Sequence, residues 1–244
     1  LYCMKAKEIN RELDKARDSG PVKDIVIPPC PQLLVQLQTE LNQADPDPQV
    51  VANIAGSDVA MAAALIRISN SSLYARRQPV SSVGQAVAML GVKPTAQVLT
   101  GFLLRNAIQL DATLIEHFWE SSTRRSLAMA HIAGQMYGVD VEVAKTCGLF
   151  FHVGIPVMLQ GVRGYSGTLV EAMARQDRTF IQTENAAHRT DHAVVGAIVA
   201  KTWRLPADIA YAVRLHHDFS VLPDSGVALQ VRQLVAIAAI ADHL

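Results

Sequence analysis

The fold class is decided by the stretch Ser57-Asp58-Val59-Ala60-Met61-Ala62-Ala63-Ala64-Leu65-Ile66-Arg67-Ile68-Ser69-Asn70, residues 57–70. From Ala62 to Ser69, small and apolar residues recur at the spacing i, i+3, i+4 and i+7, which is the period of an α-helix with one buried face. Ser57 or Asp58 can cap the first turn by accepting a hydrogen bond from a free backbone N–H. The many alanines permit close contact with neighbouring helices, so the stretch predicts a short, tightly packed helix.

The composition agrees with a helical fold. The chain has 244 residues, of which 50% are hydrophobic and 5% aromatic, so it can bury a large core of mainly small aliphatic side chains. Such residues suit helices packed on helices better than a β-sandwich. No alternating apolar and polar stretch is long enough to predict a sheet. We predict an all-α protein with two packed helical lobes that meet near residue 110.

Helix boundaries can be placed on both sides of the opening stretch. Asp47 followed by Pro48 is typical of a helix cap and first turn. Ser81-Ser82 starts a helix that Gly91 ends, and Pro94 opens the next. In the second half of the chain, amphipathic stretches predict further helices over residues 113–137, 141–151, 167–176, 191–203, 206–217 and 227–244.

The first 23 residues differ from the rest. Residues 4–18 carry Lys, Glu and Arg at spacings that allow charge pairing along a helix, and Ser19-Gly20-Pro21 ends the segment. We predict an exposed, charged N-terminal helix and linker over residues 1–23. A domain over residues 24–244 would follow, divided into an N-terminal lobe (24–110) and a C-terminal lobe (111–244).

Charge and cysteine content exclude several function classes. Lys and Arg total 22, as do Asp and Glu, and the pairs Arg76-Arg77 and Arg124-Arg125 are too small to form a phosphate-binding basic stripe. We expect no nucleic-acid binding. The widely spaced Cys3, Cys30 and Cys147 predict neither a disulfide framework nor a zinc knuckle, which favours the cytoplasm. No apolar run reaches about 18 residues, so we expect no membrane insertion.

Two sets of spaced elements resemble a known family. The first set is Ile66-Arg67-Ile68-Ser69-Asn70-Ser71-Ser72-Leu73-Tyr74, then Pro79-Val80-Ser81-Ser82-Val83, then the helix from Ala86 to Leu90-Gly91. It resembles the N-terminal lobe of HDOD domains, which has an Asn-Ser-x-x-Tyr element, a Pro-Ile-Ser-Ser element and a helix ending in Leu-Gly. Asp58 and the proline-rich segment Pro28 to Pro31 are also similar to family features.

The second set lies in the C-terminal lobe and resembles the HD superfamily. Its elements are Phe118-Trp119, Gly148-Leu149-Phe150-Phe151-His152, Asp191-His192-Ala193-Val194-Val195-Gly196, His216-His217 and Ala241-Asp242. The resemblance covers about residues 24–244. It implies an all-α fold whose C-terminal lobe is HD-like.

Two metal ligands that the resemblance would require are missing. HD enzymes hydrolyse phosphate esters with metal ions held by His and Asp side chains, and the aspartate of the His-Asp doublet can bridge two ions. Here Val153 follows His152, and Pro156 replaces the lysine that often follows the doublet. The first family histidine falls at Ser122, and His131 is a poorer candidate because it lies about two and a half turns later on the helix. We therefore expect no catalytic residues.

The residues that remain are vestigial candidates for a metal site. They resemble positions that line the metal pocket of HD and HD-GYP proteins: His152, His192, His216, His217 and Asp242. If they converge, they suffice chemically for one Zn, Fe or Mn ion. Adjacent His216 and His217 point about 100 degrees apart on a helix, so both reach one point only if the helix ends there. We expect a relic pocket without a metal or other cofactor, and a small-molecule pocket or an intact metal site are the alternatives.

The resemblance implies a role in bacterial signal transduction. With a degraded ligand set, we predict a non-catalytic output domain that acts through protein–protein interaction. Its partners would be signalling proteins: a sensor kinase, a response regulator or cyclic-di-GMP-related proteins. Two alternatives stay open, a metal-dependent phosphohydrolase with a reduced mononuclear site and a nucleotide sensor without catalysis.

Other conspicuous residues are interpreted as structural. Trp119 and Trp203 lie on apolar helix faces and are predicted to be core or lobe-interface residues. Cys147 lies in an apolar helix, where it acts as a small buried hydrophobe. His117 and His188 are predicted to lie in loops or on the surface.

Overall fold

A computed structural model describes residues 2–71, 74, 79–108 and 112–243, without the side chains of residues 2–4 and 112–116. Throughout these residues the chain forms helices and turns, with no β-strand, which confirms the predicted all-α fold. Ser72 and Leu73 of the Asn-Ser-x-x-Tyr element lie outside the described residues, as do Arg76 and Arg77.

Fourteen α-helices and one 3-10 turn make up the described chain. In chain order they are α1 Tyr2–Ser19, α2 Gln32–Leu41, α3 Pro48–Gly56, α4 Val59–Ser69, α5 Val83–Leu90, α6 Val92–Ala107, α7 Ala112–Gly134, α8 Val141–Phe150, α9 Gly154–Gly161, α10 Tyr165–Ala174, α11 Phe180–His188, α12 His192–Thr202, α13 Ala207–Leu215, the 3-10 turn Phe219–Val221, and α14 Leu229–Ala241. They group into two compact units, Pro29–Ile108 and Leu1–Pro28 with Gln109–Leu244.

The unit Pro29–Ile108 contains α2 to α6, and local sequence signals set its helix ends. The carboxylate of Asp47 accepts from the Gln49 N–H at 2.7 Å, and that of Asp58 accepts from the Met61 N–H at 2.7 Å, so α3 and α4 are capped as predicted. Gly91 (φ +84°) separates α5 from α6. The sixth helix begins at Val92, two residues before Pro94, because Pro94 occupies its first turn.

Asn70 explains why the two family-like elements of this unit occur together. Its amide Nδ2 donates to the Val80 carbonyl at 2.8 Å, and its Oδ1 accepts from the Val80 N–H at 2.7 Å. These two hydrogen bonds join the end of α4 to the segment that leads into α5. A side-chain amide is suited to this position because it offers a donor and an acceptor together.

The second unit is built around α12. Every residue from His192 to Ala200 is buried, so this helix is apolar on all sides. It packs closely on α9 because Gly154 has no side chain. A Cβ at this position would lie only 2.0 Å from the His192 carbonyl oxygen. Trp203 is fully buried after α12, and its Nε1 donates to the Pro28 carbonyl at 2.8 Å. The predicted burial of Trp119, Trp203 and Cys147 is confirmed.

The N-terminal helix forms as predicted and ends at Ser19, but its predicted exposure is only partly right. One face of α1 is buried in the second unit through Ile9 and Leu13. Its charged face bears ion pairs of Asp14 with Lys201 (2.6 Å) and of Glu12 with Arg214 (2.5 Å). The exposure was overestimated because Ile9 and Leu13, one helical turn apart, are surrounded in the sequence by charged residues.

Two helices next to the site were not predicted, α9 and α11. The α8 and α9 stretch, Val141–Gly161, is apolar and long enough to span a membrane, but 56% of its most apolar window is buried inside the structure. Phe150, Phe151 and Val157 are fully buried core residues of this stretch. Core packing therefore accounts for its apolar character.

A candidate metal centre of four histidines

Four of the five predicted site residues converge on one point, which we call the histidine cluster: His152, His192, His216 and His217. The Nε2 atom of His192 lies 3.2 Å from Nδ1 of His152, 3.3 Å from Nε2 of His216 and 3.1 Å from Nε2 of His217. All four ligand atoms lie within 4.8 Å of one another. These are nitrogen donors at the separation that one small cation could bridge.

Helix ends bring the four imidazoles together. His152 lies in the turn between α8 and α9, and His192 is the first residue of α12. The helix α13 ends at Leu215, so His216 and His217 follow it in a turn and both rings reach the cluster. The two adjacent rings can reach one point because the helix ends just before them.

Glu184 fixes the orientation of His192. One Glu184 carboxylate oxygen lies 2.7 Å from His192 Nδ1 and also accepts from the His192 backbone N–H at 3.3 Å. The other carboxylate oxygen accepts from the Tyr165 hydroxyl. Because a carboxylate accepts hydrogen bonds, this contact assigns the imidazole proton to Nδ1 and directs the Nε2 lone pair toward the cluster.

The backbone fixes the orientation of His216 in the same way. Its Nδ1 lies 2.6 Å from the Val213 carbonyl oxygen, which can only accept, so the proton is on Nδ1. The lone pairs of His216 Nε2 and His192 Nε2 therefore face each other at 3.3 Å. Two facing lone pairs repel unless a proton or a cation lies between them. The donor set and its orientation thus fit a metal ion.

Burial keeps three of the imidazoles neutral. Desolvation lowers the pKa of His152 and of His216 well below the ordinary value for histidine. Arg125 lowers the pKa of His152 further, and the other imidazoles of the cluster lower the pKa of both. For His217, desolvation followed by the neighbouring His192 lowers the pKa to about 4. Neutral imidazoles carry the lone pair that a metal ion requires.

Asp242, the fifth predicted residue, lies outside the cluster. Its Oδ1 accepts from Arg125 Nε at 2.5 Å, and its Oδ2 lies 3.8 Å from His152 Nε2. That nitrogen is on the far side of the ring from Nδ1, which faces the cluster. Asp242 is therefore paired with Arg125, and it approaches His152 at Nε2 and not at the Nδ1 atom that faces the cluster.

The resemblance placed two further metal ligands at the position after His152 and at residue 122, which are Val153 and Ser122 in this chain. Val153 is fully buried, and its Cγ1 lies 3.4 Å from where a Cβ on Gly196 would be. Ser122 is also buried, and its hydroxyl has no hydrogen-bond partner among the described residues. His131 is exposed on α7 and is not part of the cluster. No carboxylate joins the four imidazoles within the described part of the chain.

A cavity of about 490 Å³ borders the cluster, and we call it the histidine cleft. His152, His192 and His217 lie at one end of it, beside Arg125. The other residues that line it include His117, Phe118, Leu159, Leu169, Phe180 and Met173. His117 is exposed, as predicted, and lines this cavity.

The sequence interpretation missed two members of the site, Glu184 and Tyr165. Glu184 lies on α11, where Thr179 and Gln182 form a capping box that could have revealed the helix. Its contact with His192 depends on tertiary packing and leaves no local signal. His188 was predicted to lie in a loop or on the surface, but it ends α11, is half-buried and lies 2.8 Å from the Thr168 hydroxyl.

Curated and solved proteins resemble this chain over most of its length. An uncharacterized protein of Treponema pallidum (strain Nichols) is 21% identical over 201 residues, which cover 81% of this chain and 39% of that protein. The chain thus spans about two fifths of the length of that relative.

Three solved structures have a TM-score of 0.74 and cover 96% of this chain. They are an HDOD domain protein with unknown function from Geobacter sulfurreducens (24% identical, 78% of that chain), a candidate phosphohydrolase from Shewanella amazonensis SB2B (18%, 80%) and a candidate signal transduction protein from Marinobacter aquaeolei VT8 (16%, 57%). At these identities they share the fold.

The sequence model of the HDOD domain matches residues 27–219. This range includes Asn70 and Val80, whose hydrogen bonds join the end of α4 to the segment before α5, and all four residues of the histidine cluster. The predicted resemblance is confirmed, and the chain belongs to the HDOD domain family.

Proposed function

We propose that this chain is a cytoplasmic signalling output domain that does not hydrolyse phosphate esters. The observation that carries the proposal is the buried Val153 beside a cluster made of imidazoles only. A two-metal hydrolase needs an anionic ligand that binds both ions and offsets their charge. Valine offers no lone pair, so the second ion has no bridging ligand.

The two nearby carboxylates do not replace the missing aspartate. Glu184 is occupied by His192 and Tyr165 on the side of His192 that faces away from the cluster. Asp242 is paired with Arg125 and approaches His152 at Nε2. Either carboxylate would have to leave its partners before it could bind a cation among the four histidines.

We further propose that the cluster holds one divalent ion, either zinc, iron or manganese. His152 Nδ1 and the Nε2 atoms of His192, His216 and His217 would hold it. When bound, the ion would supply a positive charge that relieves the repulsion of the facing lone pairs. It would also connect the turn before α9, the start of α12 and the end of α13, so its role here would be structural.

The partners would be signalling proteins: a sensor kinase, a response regulator or cyclic-di-GMP-related proteins. Family membership and the absence of a bridging carboxylate at the site, within the described residues, both favour output by binding over output by catalysis. A bacterial two-hybrid assay against signalling proteins encoded by neighbouring genes tests this part. We expect at least one specific pair, and no interaction with any of them would contradict the proposal.

The decisive experiment combines a metal analysis with an activity assay. Protein reconstituted with zinc, iron or manganese would be assayed with phosphomonoesters, nucleotides and cyclic dinucleotides, next to His152→Ala and His131→Ala. We expect one metal per wild-type chain, no metal in His152→Ala, and no turnover above background. Turnover that is lost in His152→Ala but kept in His131→Ala would overturn the proposal.

One observation favours a second candidate function, a mononuclear metal-dependent phosphohydrolase. The histidine cleft leads to three of the four cluster imidazoles, so a substrate could reach a bound ion. The same assay separates the two candidates, because the hydrolase requires metal-dependent turnover. A nucleotide sensor is less consistent with the cleft, whose lining is mainly apolar and offers few groups for a base and several phosphates.

A further inference from the structure

The histidine cleft combines an apolar lining with one polar end, where Arg125 and three imidazoles lie. Phe118, Leu159 and Phe180 line it, and the apolar side chains of Val170 and Met173, which are 68% and 75% exposed, also border it. Its volume of about 490 Å³ lies within the range of small-molecule sites. An apolar molecule bound here would cover side chains that otherwise face water.

Arg125 gives the cleft its charge. It is the cationic member of the lining, and no carboxylate is found among the described side chains that line the cavity. Its Nε donates to Asp242, while its Nη nitrogens make no hydrogen bond within the described residues. A guanidinium offers five N–H donors in a planar fork that matches a carboxylate. Four of these donors, those of the two Nη nitrogens, are therefore not engaged by Asp242, and Arg125 is a residue of the cleft lining.

The imidazoles at this end add polar nitrogen atoms and no negative charge. His152, His192 and His217 border the cleft beside Arg125. If a metal ion is bound among them, the positive charge at this end increases. Asp242 already offsets the charge of Arg125, so it is the Nη hydrogen-bond donors of Arg125 that favour a carboxylate here, while an apolar group is favoured along the rest of the cleft.

We propose that the histidine cleft binds a small monocarboxylate with an apolar tail, of the size of a medium-chain fatty acid. The carboxylate would accept hydrogen bonds from the Nη nitrogens of Arg125, and the tail would lie along Phe118, Leu159 and Phe180. This ligand would be the input that the proposed signalling domain senses, and in that respect it rests on the proposed function. Binding itself requires neither catalysis nor a metal ion.

Isothermal titration of the full chain with decanoate tests the proposal, with metal-free and zinc-loaded protein examined separately. Decanol is the uncharged control and ATP is the nucleotide control. We expect one decanoate per chain, with an affinity at least about tenfold higher than that of decanol, because a hydrogen bond to a charged group contributes at least that factor. ATP should not bind.

Two neighbouring arginines provide a matched pair of variants. Arg125→Gln should weaken decanoate binding about tenfold or more, and Arg125→Lys should retain part of it. Arg124→Gln should leave binding unchanged, because Arg124 is exposed and pairs with Glu120. Equal affinities in Arg124→Gln and Arg125→Gln would overturn the proposal, as would the absence of decanoate binding or equal binding of decanol.

A variant at the tail end keeps the test independent of folding near the cluster. Met173→Glu places a carboxylate on an exposed residue of the cleft and should weaken decanoate binding, while Met136→Glu, outside the cleft, should not. If both variants bind as the wild type does, the tail position is wrong. Because the readout is heat of binding, failure of the metal or activity experiment leaves this result interpretable.

Discussion

Glu184 and His192 form a fully buried carboxylate–imidazole pair, with Oε2 and Nδ1 2.7 Å apart. The pair fixes which imidazole nitrogen faces the histidine cluster, and Tyr165 holds the other carboxylate oxygen. Metal-binding histidines are commonly oriented by such a carboxylate. This orienting pair is present in a site where Val153 follows His152 and no carboxylate joins the four imidazoles within the described residues.

Replacement of Glu184 by glutamine should weaken metal binding. The amide keeps the shape of the side chain but removes its charge and can present an N–H to the imidazole, so the proton on His192 Nδ1 is no longer favoured. Loss of an orienting partner typically lowers metal affinity about 10- to 100-fold. Competition with a chromophoric zinc chelator measures this affinity. Glu171→Gln, which alters an exposed ion pair with Arg175, is the control, and an equal loss in both variants would refute this role of Glu184.

Gly154→Ala should destabilise the second unit strongly. The added Cβ would lie 2.0 Å from the His192 carbonyl oxygen and 2.8 Å from the Gly196 nitrogen, both of them backbone atoms that cannot rotate away. We expect a loss of about 3 kcal/mol or more in the free energy of unfolding. Thermal and urea denaturation followed by circular dichroism measure it.

Gly167→Ala is the matched control for this prediction. Gly167 lies within α10, and a Cβ there would meet nothing within 4 Å. Alanine should raise the free energy of unfolding by about 0.5–1 kcal/mol, because it restricts the unfolded chain and favours the helix. If Gly154→Ala changes the free energy of unfolding no more than Gly167→Ala does, α9 does not pack on α12 as closely as in this structure.

Local signals predicted much of the fold. Asp47 and Asp58 cap helices by accepting from backbone N–H groups two or three residues later, and Gly91 ends α5 with a positive φ angle. These interactions are local, so the sequence alone predicted them. The helix α9 was missed because it is short and apolar, and it directly follows the turn at His152. The burial of one face of α1 was missed because two apolar residues among many charges carry little weight.

The site could be predicted only as a set of candidates. The family resemblance identified four residues that do converge, and the end of α13 at Leu215 explains how His216 and His217 act together. Asp242 pairs with Arg125, which lies 117 positions away in the sequence. Glu184 pairs with His192, which lies eight positions away on the next helix. Neither pairing has a local sequence pattern, so packing alone reveals it.

The metal-free protein should lose stability as the pH falls below about 6.5. The folded-state pKa of His217 is about 4, below the ordinary value, so the unfolded chain binds the proton more readily than the folded chain does. The stability associated with this histidine is therefore fully present above pH 6.5 and decreases between pH 6.5 and 4. Each such group contributes a slope of up to about 1.4 kcal/mol per pH unit.

Urea denaturation at several pH values between 7.5 and 4.5, with a chelator present, measures this dependence. The His217→Gln variant should show a shallower slope, because one group with a lowered pKa is removed. His131→Gln, at an exposed position on α7, should keep the wild-type slope. A wild-type stability that does not change over this range would contradict the neutral state of the buried imidazoles.

Zinc should raise the melting temperature of the protein, because the ion binds the folded arrangement of four histidines and not the unfolded chain. At a free zinc concentration of 100 times the dissociation constant, the stabilisation is about 2.7 kcal/mol. His192→Ala should abolish the increase, since the Nε2 atom of His192 lies within 3.3 Å of all three other ligand atoms. His131→Ala should show the full increase, because His131 lies outside the cluster. Differential scanning calorimetry with buffered free zinc measures the shift, and an equal shift in His192→Ala and wild type would show that zinc binds elsewhere.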